Sequence, residues 1–317
     1  MTKTDTQSKV KTPLKKRQKD MIFVACLVTL PLIHYIIFYI YVNFNSVILA
    51  FQRYDLNSGG YVWNGFKTFE QLVGTWKNGD VNILSCIKNS LIYYVIHTAV
   101  GTTATLFFSY YIFKKRFASK FFKVILFLPS IIASISITLM FKKVVNEALP
   151  DIMQLLGATV PPLTGKLTDS ATVFGTVVFY GIWVGFGSGL LLYSGAMCNI
   201  SDSIMEAAEI DGASELRQFF KIVVPLIYPT LSIFLVNGIA VLFSSDMHLY
   251  AFFGGDLDGN VWTFGYYLLR RTRYAQTYGG MGSYPEPAAI GLLLTAFSVP
   301  TTFFARWLIN KYGPKTV

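Results

Sequence analysis

The chain is predicted to be an all-α membrane protein of six transmembrane helices with both termini in the cytoplasm. Three observations carry this expectation. It is 53% hydrophobic and 14% charged over 317 residues, where a soluble domain carries roughly a quarter charged residues. Six runs lack charged residues: Met21–Val42, Asn89–Phe113, Val124–Phe141, Ser170–Ser201, Ile222–Ser245 and Pro287–Ala305. Each suits a helix crossing the hydrocarbon, which takes about 17 to 25 residues, and the fourth is longer. The intervening charge is lopsided. Residues 1–20, 114–123, 202–221 and 306–317 hold 17 Lys/Arg against 7 Asp/Glu, and the alternate segments hold 10 of each. The entire net charge of +10 therefore falls on one side, which the positive-inside rule places in the cytoplasm.

Residues 1–20 form a polar, Lys-rich tail without the apolar residues to fold alone. Its Lys15-Lys16-Arg17-Gln18-Lys19 cluster suits either anionic membrane lipid or a simple anchor for the first span. That span is too long for a cleavable signal and no small-residue cleavage site follows it. Residues 21–88 comprise the first helix and an outer segment with Gly59-Gly60, Trp63 and Trp76, expected to form short interfacial structure. Residues 89–310 hold the other five spans, and 311–317 a second cytoplasmic tail. The basic loop Lys114–Lys123 joins spans two and three, and Pro150, Pro161 and Pro162 break any helix in Lys142–Asp169. Span four is rich in glycine (Gly175, Gly181, Gly185, Gly187, Gly189, Gly195), as close helix packing requires. Cys26, Cys86 and Cys198 are isolated and suit neither a disulfide framework nor a zinc site.

Residues Glu206 to Pro225 read EAAEIDGASELRQFFKIVVP. Segment 202–221 carries five acids against Arg217 and Lys221, an anomaly on a basic face and sensible for a surface that meets a protein. A short helix over Ser203–Ile210 would bring Ile204, Ala207, Ala208 and Asp211 near one side. Gly212 is predicted to end it in a left-handed turn. Ser214 is predicted to cap a second helix, and Pro225 to open the fifth span. The spacing of Glu206-Ala207-Ala208, Gly212, Ile222 and Val224-Pro225 resembles the EAA coupling loop of ABC-importer permeases. The chain from about Asn89 onward, most strongly Ser194–Pro229, is similar to the carbohydrate, maltose-transporter-like, binding-protein-dependent family. The Gly282–Pro287 stretch departs from that family's usual small-residue run.

The resemblance implies a permease subunit of an ATP-driven importer for carbohydrate, most simply an oligosaccharide. It implies three partners: a second, homologous permease, a pair of ATP-binding-cassette ATPases and an extracytoplasmic solute-binding protein. ATP and Mg²⁺ would be held by the ATPase, with no cofactor on this chain. Met205, Glu206, Ala207, Ala208, Glu209, Asp211, Gly212 and Ala213 would dock the ATPase. Uptake of glycerol-phosphate or a polyol is the alternative within the family, and a secondary transporter the alternative outside it. Spans four and five carry no carboxylate or lysine, which argues against a proton-driven porter. There is no Walker-type glycine loop, no His/Cys metal spacing and no set of catalytic residues, so an enzymatic role is not expected. The basic balance is accounted for by the membrane, without nucleic acid. A sugar path needs aromatic faces and neutral hydrogen-bonding groups, and Tyr180, Trp183, Ser188, Tyr193, Asn237 and Ser244 are the candidates in spans four and five. Arg270, Arg271 and Arg273 suit either solvent and headgroups or an anionic substrate.

Overall fold

A computed structural model describes residues 13–79, 81–159, 162–163 and 169–314, and the chain is mostly helical. The tail 1–12 and the prolines' neighbourhood at 160–161 and 164–168 lie outside the described residues. Among the described residues four helices are long and apolar enough to cross a membrane: α1 (Gln18–Leu49), α3 (Ile83–Phe113), α6 (Ser170–Met197) and the last, which spans Met281–Tyr312 with its terminal turns. Two bent pairs meet the same test, α4 (Ser119–Ile131) with α5 (Ser134–Leu155), and α8 (Glu215–Leu226) with α9 (Tyr228–Val241). The count is thus four, or six when each bent pair is one span.

The bends are not what uninterrupted apolar runs suggest, and both have local causes. The first pair turns by 102° at Ile132, an extended residue that ends α4, and Ala133. Pro129 has already removed one amide donor from the last turn of α4. The second pair turns by 71° at Ile227. Pro229 has no N–H to give the carbonyl of Pro225, so the ladder stops, and Leu231 N restarts it on Ile227 O at 3.0 Å. Pro225 therefore lies in the last turn of α8, before the break, and Tyr228-Pro229 open α9.

Among the described residues one departure from an all-helical chain follows α1. Strands β1 (Gln52–Asp55) and β2 (Gly60–Trp63) pair antiparallel, with Gln52 opposite Trp63 and Asp55 opposite Gly60. Gly59 closes the turn at φ +65°, where a β-carbon is penalised. The amphipathic helix α2 (Lys67–Asn78) follows, with Leu72 buried. Asn82 caps α3, its Oδ1 accepting from the amides of Leu84 and Ser85.

Helix α6, capped by Asp169 on the Thr172 amide at 2.7 Å, is the hub of the bundle and packs on α4, on α3 and on the π-helical turn within α3. After α6 come α7 (Asp202–Ile210), α8 and α9, then α10 (Leu249–Phe253), α11 (Phe264–Tyr274) and α12 (Pro285–Tyr312). Helix α9 lies along α12, where Tyr228 Oη donates to Ile309 O at 2.9 Å. The core divides into two clusters. One surrounds Tyr180, Phe252, Trp262, Tyr266 and Tyr267, and the other joins Leu106, Tyr110, Met197, Met205 and Phe219. Helix α1, by contrast, presents apolar side chains around its whole length with none buried in its most apolar stretch. Such a surface is stable only against lipid or another helix.

Candidate functional site

The segment between α6 and α9 folds as helix, turn, helix. Helix α7 begins at Asp202, one residue earlier than the sequence suggests, and places that acid at its positive end. It ends as predicted: Gly212 has φ +72°. Ala213 N donates to Ala208 O at 2.9 Å and Gly212 N to Glu209 O at 3.0 Å, the paired bonds of a Schellman termination. Ser214 stands at the start of α8 in an extended conformation, but its side chain caps no amide. Instead Gln218, buried beneath the turn, donates through Nε2 to Ala213 O at 2.9 Å and ties the second helix to the end of the first.

The two faces of α7 differ sharply. Met205 and Ala208 are each 6% exposed and Met205 packs in the second core cluster with Met197, Phe219 and Val223. The chain's own body thus holds these two, and of the four residues expected near one side, Ala208 is buried while Ile204, Ala207 and Asp211 are exposed. Glu206, Ala207, Glu209, Asp211 and Gly212 point outward, and Ala213 is half-buried. Ile210, next to them, is 87% exposed.

The acids also divide. Lys114 Nζ lies 2.7 Å from Glu209 Oε1, and Arg116 pairs with Glu215. Tyr110 Oη donates to Glu215 O at 3.3 Å and Phe107 stacks on Phe219 at 4.7 Å. The hydrogen bond from Lys114, and then its charge, hold the Glu209 carboxyl below its ordinary range. The basic loop after α3 therefore neutralises two acids of this segment and clamps it to the bundle. Sequence reasoning missed this contact. Its signal was the coincidence of a basic and an acidic loop on one side of the charge split. Among the described residues no ion pair is formed by Glu206 or Asp211.

A second feature lies within the bundle. A cavity of about 330 Å³ opens between α3, α6 and α9. It gathers Ser188, Tyr193 and Asn237 of the six path candidates, and adds Tyr93, Tyr94 and His97 from α3. Tyr180, Trp183 and Ser244 stand elsewhere. Tyr180 is fully buried, with its hydroxyl 2.6 Å from Thr138 Oγ1, and Trp183 is half-buried against Phe141 at 5.7 Å. Ser244 donates to Val241 O at 3.2 Å at the exposed end of α9. The reason is angular. Tyr180 and Trp183 lie one helical turn apart on the side of α6 that meets α5 and α10, whereas Ser188 and Gly185 lie on the side facing the cavity. For Trp183→Ala the expected result is a drop in thermal stability of about 2 to 3 kcal/mol, with surviving protein transporting at the normal rate. Melting temperature and uptake measured on one preparation check it, and lost uptake at unchanged stability would return Trp183 to the path.

Among the described residues there is no group of His, Cys, Asp and Glu able to hold a metal. His34 is exposed on α1, with its ring 4.8 Å from that of Phe38.

Comparison with known proteins accords with this geometry. A family model described as the binding-protein-dependent transport system inner membrane component matches residues 91–316. A probable ABC transporter permease from Mycoplasma pneumoniae is 26% identical over 179 residues, covering 55% of this chain and 51% of that protein. The galactooligosaccharides transport system permease GanP of Bacillus subtilis is 26% identical over 221 residues, covering 66% of this chain and 51% of GanP. Both alignments thus span about half of the relative's length. In fold, the chain superposes on a chain of a bacterial ABC transporter involved in the import of the acidic polysaccharide alginate, with a TM-score of 0.74 at 18% identity, covering 94% of this chain and 98% of that one. Since the family model covers well over half of its length, the chain belongs to the binding-protein-dependent transport system inner membrane components.

Proposed function

We propose that this chain is a six-span permease subunit of an ATP-driven importer for carbohydrate, and that segment 206–225 docks a cytoplasmic ATPase. The observation that carries the docking is the split character of α7. Its inner face is buried in the bundle, while Glu206, Ala207, Ile210 and Asp211 remain free on a rigid, clamped support. An exposed isoleucine close to Glu206 and Asp211, which form no ion pair among the described residues, fits a protein partner better than lipid headgroups on a basic side. Closure of the ATPase pair would push or pull on α7, and the Met205 and Phe219 contacts would pass the motion to α6 and α9.

The cavity lined by Ser188, Tyr193, Asn237 and Tyr93 supplies hydroxyls, an amide and aromatic faces, the groups that sugar rings need. The similarity to GanP supports an oligosaccharide. The partners of this reading are a second permease, the ATPase pair holding ATP and Mg²⁺, and an extracytoplasmic binding protein. Uptake of radiolabelled galacto-oligosaccharide and maltodextrin by the reconstituted complex, with and without the binding protein, tests it. ATP-dependent accumulation of either supports the reading, and accumulation that persists without the ATPase would overturn it.

Orientation has its own test. With Cys26, Cys86 and Cys198 removed, cysteine at Ser214 is expected to react with impermeant thiol reagents only from the cytoplasm. Cysteine at Ser58 or Thr159 should react only from outside, and all three positions are exposed. Outside labelling at Ser214 would remove the docking proposal with it.

A further inference from the structure

We propose that the large cavity at the end of the bundle opposite the docking segment binds a carboxylated saccharide. This rests on the carbohydrate-permease reading and narrows its substrate class. The cavity measures about 1030 Å³ and is walled by α2 on one side and by α11 with its C-terminal extension on the other. Arg270, Arg273, Tyr274, Thr277 and Tyr278 all line it, and their offsets of 0, 3, 4, 7 and 8 put them on one helical face. That face is cationic in its first turn, at Arg270 and Arg273, and aromatic beyond it, at Tyr274 and Tyr278.

Each arginine of this helix is held by a ring. Arg270 lies over Trp262 at 4.5 Å, Arg271 over Tyr267 at 5.6 Å and Arg273 over Tyr250 at 5.9 Å. The rings are themselves fixed: Trp262 and Tyr267 are buried, and Trp76 Nε1 donates to Tyr267 Oη at 3.1 Å. A guanidinium stacked on a ring still donates through its edge, the geometry that receives a carboxylate in bidentate fashion. The cations outnumber the acids around them. Asp256 also lines the cavity, and Glu286 meets Arg271 Nε at 3.4 Å from outside it. Arg270 and Arg273 are separated by about 4.5 Å along the helix, of the order of one pyranose ring. Tyr274 and Tyr278, 56% and 80% exposed, offer faces on which sugar rings stack. Cations spaced by one sugar unit among exposed aromatic faces match a short uronate chain, and the volume stands at the upper end of small-molecule sites.

The experiment uses the full chain in nanodiscs, alone and assembled with its partner subunits. The ligands are trigalacturonate and its neutral counterpart galactotriose, and Trp76 and Trp262 serve as fluorescence reporters inside the cavity. Trigalacturonate is expected to bind at least tenfold more tightly than galactotriose, and to lose about tenfold in affinity between 50 and 500 mM salt. Arg270→Gln with Arg273→Gln should abolish that preference, while Arg270→Lys with Arg273→Lys, which keeps the charge but loses the stacked bidentate geometry, should retain only part of it. Equal, salt-insensitive binding of the two sugars would overturn the proposal. So would a glutamine variant that keeps the uronate preference but loses the binding protein, because the arginines would then serve protein docking. ATPase stimulation and uptake separate the two readings. Transport of galactotriose with no trigalacturonate binding leaves the carbohydrate permease standing and removes this site. Trigalacturonate binding with no ATP-driven uptake of any saccharide does the reverse.

Discussion

Gly187→Val is expected to abolish the stable protein. A β-carbon at Gly187 would stand 2.9 Å from Phe127 Cα and 3.0 Å from Leu126 O, both backbone atoms of α4. Neither can swing aside as a side chain could, so α6 and α4 would have to separate along their shared contact. Inserting even small groups into a packed interior costs about 1 to 3 kcal/mol. Three added carbons against a backbone should exceed that range, which is a large part of a typical total stability. Gly175 and Gly195 lie on the same helix with no atom within 4 Å of a β-carbon, so Gly175→Val and Gly195→Val should express normally. Yield in detergent and melting temperature check the contrast. Equal losses at all three positions would mean that the glycines act through helix flexibility rather than close packing.

On the segment proposed to dock the ATPase, substitutions on the two faces of α7 are expected to fail in opposite ways. Glu206→Lys and Ile210→Asp lie on the free face and should leave yield and stability within about 0.5 kcal/mol of the parent. Each should lower substrate-stimulated ATP hydrolysis by tenfold or more. Burial of an isoleucine side chain in a partner is worth about 2 kcal/mol, or more than a tenfold change in affinity. Ala208→Trp lies on the buried face and should reduce the amount of folded permease first, since it crowds the cluster of Met205 and Phe219. Gly212→Val acts through the backbone, where a left-handed φ costs a side chain roughly 1 kcal/mol or more. Normal coupling in Glu206→Lys and Ile210→Asp at equal complex yield would show that the ATPase meets another surface.

Much was legible before the structure because it depends on local chemistry. Charge-free runs mark the apolar helices, since burial in lipid forbids uncompensated charge. Gly212 declares the turn, since a left-handed residue after a short helix is seldom anything else. The spacing that resembles an EAA coupling loop could be read because its elements lie within twenty consecutive residues. The hairpin Gln52–Trp63 was less visible: Gly59-Gly60 marked a turn, but the flanking strands are only four residues each. The bends at Ile132 and Ile227 carried proline signals that length alone outweighed.

The substrate-path candidates show the limit most clearly. Tyr180, Trp183, Ser188 and Tyr193 look alike in sequence, each a polar or aromatic residue in one apolar helix. Their division between core and cavity depends on which neighbour stands at each angle around α6. That angle is set by Gly187 against α4 and Thr105 of α3 against Gly189, contacts between residues sixty or more apart. The same holds for the acids of segment 202–221. Five carboxylates within fourteen residues announce a surface, yet Lys114 and Arg116, a hundred residues earlier, choose which remain free. Hydropathy, charge and short motifs act along the chain and could be read there, and so the sequence by itself determined the class, the apolar helices and the turn at Gly212. Which face of each helix is free is decided by packing between distant segments, and only the tertiary structure brings those segments together.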